Sequence, residues 1–144
     1  MSALSEQVRK AIFAKINVAG VVGSGKATAV YESKAPSDAD FPYVVFNRQA
    51  SELNEYTFTF AQTIESDLWQ FRAYADEDSS TTKEPQQIAE EILILVTNTL
   101  GTTLTLSGNT VMWCAKLSDL PPVDQQLNDR YVYGRGMLYR IASE

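Results

Sequence analysis

Gly20-Val21-Val22-Gly23-Ser24-Gly25-Lys26 satisfies the G-x-x-x-x-G-K part of a phosphate-binding loop. In such a loop backbone N–H groups cradle phosphates and the lysine reaches the outer ones. The frame breaks at the next residue. Ala27 stands where a Ser or Thr hydroxyl must reach Mg²⁺, and Thr28 comes one place late. The motif should also follow a strand and open a helix, whereas here a helical pattern precedes it and an extended segment follows. The residues therefore read as a flexible glycine connection. Carboxylates cluster at Asp38/Asp40, Asp76/Glu77/Asp78, Glu90/Glu91 and Asp124/Asp129, and pairs of this kind serve hydrolases and metal sites. None has a ligand-like frame. Asp76 to Ser80 lacks the Gly and Glu positions of a calcium loop, and Glu90 and Glu91 fall on the polar side of an amphipathic pattern. They read as solvated charge.

The sequence contains no histidine, which removes the commonest general base near neutral pH, the commonest zinc ligand and every Ser-His or Cys-His pair. The one cysteine, Cys114, lies between Trp113 and Ala115 in an apolar run and reads as a buried thiol suited to a reducing cytoplasm. No catalytic group, metal ligand set or cofactor site is assigned. A net charge of −6 over 144 residues opposes general adhesion to phosphates or to an anionic membrane surface. No apolar run approaches the roughly 20 residues of a membrane span. Arg130, Arg135 and Arg140 do not form one basic stripe, because Arg135 and Arg140 differ in strand parity.

The elements that would position these residues follow from periodicity. Val8, Ala11, Ile12, Ala14 and Ile16 mark a first helix, with a candidate cap at Ser5 and an end near Asn17. Val18 to Ala29 reads as a loop, Ala29 to Glu32 as a short extended piece, and Tyr43 to Phe46 as a strand behind Phe41-Pro42. Tyr56, Phe58 and Phe60, then Trp69, Phe71 and Ala73, alternate with polar residues. They form one long or bulged strand, or two strands, with a possible break at Glu65 to Asp67. Glu84-Pro85 opens a second helix with an apolar stripe of Ile88, Ile92, Leu95, Val96 and Leu100, stopped by Gly101. Leu104 to Leu106 and Val111 to Leu117 resemble a hairpin around Ser107-Gly108-Asn109, and Pro121-Pro122 breaks it. Asp119 to Asp129 reads as an exposed polar loop. Tyr131, Tyr133, Met137, Tyr139 and Ile141 share one face of a last strand, with Gly134 and Gly136 on the other. The expected fold is α+β over one domain, residues 1–144: a mostly antiparallel β-sheet with two α-helices packed on one face.

The order of helix, glycine loop, Ala29-Val30-Tyr31, an acidic and small-residue gap and then Phe41-Pro42-Tyr43-Val44-Val45-Phe46 resembles the tail-terminator, or tail-completion, family of tailed phages. Asp67-Leu68-Trp69 on the next strand and the helix Pro85 to Leu100 continue the likeness, which covers nearly the whole chain through short apolar marks. It implies a virion structural protein rather than an enzyme. The implied unit is a homo-oligomeric ring, usually of six copies, at the head-proximal end of the tail tube. Such a ring stops tube growth and docks to the head–tail connector protein, and DNA only passes through its lumen. Its partners would be itself, the tail tube protein and the connector, with assembly in the host bacterial cytoplasm and no membrane. A small adaptor or binding module, for example a connector stopper acting as monomer or dimer, is the alternative. The expected contact loops are Arg48 to Tyr56, with Arg48, Glu52, Leu53, Glu55 and Tyr56, and Asp119 to Arg130, with Asp124, Asp129 and Arg130, because each combines charge with apolar anchors.

Overall fold

The computed structural model describes residues 3–23, 25–56, 63–79, 82–101, 104, 106, 111–127 and 130–143, with the backbone alone for 3–5, 50–56, 63–65, 112, 113 and 127. The chain runs α1 (Ala3–Ile16), β1 (Val30–Glu32), β2 (Tyr43–Tyr56), β3 (Thr63–Asp76), α2 (Pro85–Leu100), β4 (Val111–Leu127) and β5 (Arg130–Ser143). The strands form a five-stranded sheet in the order β1-β2-β3-β5-β4. β1 runs parallel to β2, and every other neighbouring pair is antiparallel. This is the α+β architecture that the residue patterns lead one to expect.

Both helices pack on the sheet face that carries Val44, Phe46, Trp69, Phe71, Met137, Tyr139 and Ile141, all buried. On α1, Val8, Ile12 and Ile16 recur every fourth residue and are fully buried. On α2 the buried stripe is Ile88, Ala89, Ile92, Leu93, Val96 and Leu100, while Leu95 is half-buried and Ile94 is 57% exposed. The rings of Phe46, Phe71 and Tyr139 pack in series, with centroid separations of 6.0 and 5.6 Å. Arg9 pins α1 to β1 by bonding Glu6 and Glu32, at 2.6 Å from Nη1 to Glu32 Oε2.

Several expectations are corrected. Ser5 lies inside α1 rather than at its cap. Glu65 to Asp67 do not interrupt a strand; they pair with Ser143, Ala142 and Ile141 inside β3. Phe58 and Phe60 fall outside the described residues. Leu104 and Leu106 are not in a strand, and β4 pairs with β5 instead. Leu104 is buried in the core without a ladder partner. The turn expected at Ser107 to Asn109 lies outside the described residues.

The two expected loops are strands. Arg48 to Tyr56 continues β2 against β3, through irregularities at Arg48/Ala50 and Leu53/Glu55. Asp119 to Leu127 continues β4 past Pro121-Pro122. The prolines survive there for two reasons. β4 is an edge strand, whose outer N–H groups need no partner, and Pro121 and Pro122 together oppose the single residue Arg135, between Leu120↔Gly136 and Val123↔Gly134.

The glycine segment is a closed loop. Ala27 N–H donates to the Val21 carbonyl at 3.1 Å, Gly23 N–H donates to the Ala27 carbonyl at 3.0 Å, and Val21 and Ala27 are fully buried. Gly25 has φ of 77°, a backbone region where a side chain is strained. Lys26 Nζ donates to the Ala19 carbonyl at 2.7 Å.

Candidate assembly surface

The register of the sheet puts its two long hairpins at opposite ends. β3 and β5 pair from Glu65↔Ser143 to Asp76↔Val132. β2 and β3 run on past the first of these pairs, through Glu55↔Ile64 and Tyr56↔Thr63. β4 and β5 run on past the other, through Gln126↔Tyr131 and Leu127↔Arg130. The ten steps of β3 from Ser66 to Asp76 span about 33 Å at roughly 3.3 Å per residue. The candidate contact residues are thus divided. Glu52, Leu53, Glu55 and Tyr56 lie at one end, on a segment whose side chains fall outside the described residues. Asp124 and Arg130 lie at the other end, Arg48 sits between them opposite Trp69, and Asp129 is outside the described residues.

Arg130 and Asp124 are held by other residues. Arg130 Nη1 donates to Asp76 Oδ2 at 2.9 Å, and its guanidinium lies 5.7 Å from the Phe41 ring centre. Asp76 also accepts through Oδ1 from the Asp78 N–H at 3.1 Å and the Ser79 hydroxyl at 3.0 Å. Arg135 Nη1 donates to Asp124 Oδ1 at 2.7 Å, and Arg135 Nε lies 3.7 Å from Glu90 Oε1 on α2. These bonds tie the tip and the middle of the β4–β5 arm to β3 and α2. Along β4, Lys116 to Asp119 and Pro121 to Gln126 are exposed, including Leu117 at 50% and Val123 at 36%. Gly134 and Gly136 face away from the helices, under Tyr74 and Arg72. A Cβ on Gly134 would stand 2.9 Å from both Tyr74 Cε1 and the Val123 carbonyl oxygen.

A groove of about 820 Å³ opens beside α2 at the same end. Gly25, Lys26 and Thr28 line one side and Ile88, Ile92 and Leu95 the other, with Phe41 below and Ile94 on the rim. Lys83 Nζ donates to Glu91 Oε2 at 2.9 Å and holds that carboxyl below its usual range. The residue patterns do not disclose this groove, since its walls are about 60 residues apart in the chain. The local signal was Ile94, an apolar residue on the polar side of α2.

Among the described residues, no three of Asp, Glu and Cys gather at metal-binding distance. Burial pushes the Cys114 thiol up to about 11, away from the thiolate that a nucleophile needs.

No protein-family model matches the chain, and no curated protein matches its sequence. Thirty chains of solved structures do match. One of them belongs to the virion of a native gene transfer agent particle: it superimposes with a TM-score of 0.70 at 14% identity, over 100% of this chain and 99% of its own. At that identity the two share a fold.

Proposed function

We propose that this chain is a structural protein of a phage-like particle, a ring-forming tail terminator or tail-completion subunit. It caps the head-proximal end of the tail tube, stops its elongation and docks to the head–tail connector. The observation that carries this reading is the end-to-end agreement of the fold with a chain of a gene transfer agent virion, each covered almost completely. The resemblance of Phe41 to Phe46, Trp69 and α2 to the tail-terminator family supports the finer assignment.

Physical features agree with it. A ring of identical subunits joined head to tail needs two different patches on each copy, and closure satisfies both patches everywhere. The chain supplies dissimilar lateral edges: short β1 with the glycine loop on one side, the long exposed β4 on the other. It also supplies two hairpins that point to opposite ends, one available to the tube and one to the connector. Glu52, Leu53, Glu55 and Tyr56 belong to the first of these surfaces, Asp124, Asp129 and Arg130 to the second, and Arg48 lies on the strand that joins them. A net charge of −6 suits a lumen through which DNA passes without sticking. The protein works in the neck of the virion, without a cofactor or a catalytic step.

Particles assembled without the protein test the reading. Over-long or headless tails in electron micrographs are the expected result. Tails of normal length joined normally to heads would overturn it and favour an adaptor such as a connector stopper.

A further inference from the structure

We draw no further inference here: the strongest candidate, the apolar groove between the glycine loop and α2, walled by Ile88, Ile92 and Leu95 with Ile94 exposed at its rim, carries nothing because nothing in the structure shows what covers it.

Discussion

Arg130, the first residue of β5, donates a hydrogen bond at 2.9 Å to the carboxylate of Asp76, the last residue of β3, whose side chain is only 4% exposed. The bond closes the end of the sheet from which the β4–β5 arm projects. Because the Asp76 carboxylate also accepts two bonds in the following turn, Asp76→Ala removes more than the ion pair. It should cost about 2–4 kcal/mol, against about 1 for the half-exposed partner in Arg130→Ala. Urea melts of the two variants check the order, and equal losses would contradict it.

Gly134 is fixed by close approach. An added methyl meets the Tyr74 ring and the Val123 carbonyl at 2.9 Å, and the carbonyl belongs to the backbone of the neighbouring strand. Gly134→Ala should therefore destabilise the protein by about 1–3 kcal/mol. Gly20→Ala, whose nearest neighbour would be the Thr99 hydroxyl at 3.6 Å, should stay within about 1. Thermal melts of both variants are sufficient.

Ile92 and Trp69 face each other's layer, each 1% exposed. Ile92→Ala should cost about 2–5 kcal/mol and Trp69→Ala about 3–5. Glu91, on the solvent side with Lys83, should cost little when replaced by Ala, far less than Ile92. Ile94→Ser should leave stability unchanged, as the residue is 57% exposed. Similar urea midpoints for Ile92→Ala and Ile94→Ser would refute the phase of α2.

Burial raises the Cys114 thiol from 9.0 to about 11. Since the folded value exceeds the unfolded one, the unfolded chain loses its proton first as pH rises. The stability held below about 9 is then lost between about 9 and 11. Across that window the wild type should lose stability relative to Cys114→Ser, and alkylation at pH 8 should be much slower in the folded protein than in urea.

The sequence discloses elements whose burial differs between faces. Ile88, Ile92, Val96 and Leu100 mark α2, and Trp69 and Phe71 mark β3, because one side of each packs and the other does not. Asp119 to Leu127 reads as a loop for the opposite reason. β4 is exposed from Pro121 to Gln126 whichever way successive side chains point, so its residues carry no period-two signal, and its strand character comes from pairing with β5 alone. Leu104 misleads in the other direction, as an apolar residue buried without a ladder. The division of the candidate contact residues between two ends depends on register, which no single segment encodes. The groove requires the glycine loop and α2 to meet, and that is settled by tertiary packing.

The most direct test of the account is tube growth. Purified tail tube protein is polymerised with increasing amounts of this chain, and the tubes are measured in electron micrographs. The account predicts that elongation stops and that one end of each tube carries a ring with a mass close to six copies of 16.0 kDa. Tubes that keep growing with both ends bare, while the added protein stays free in solution, would contradict it.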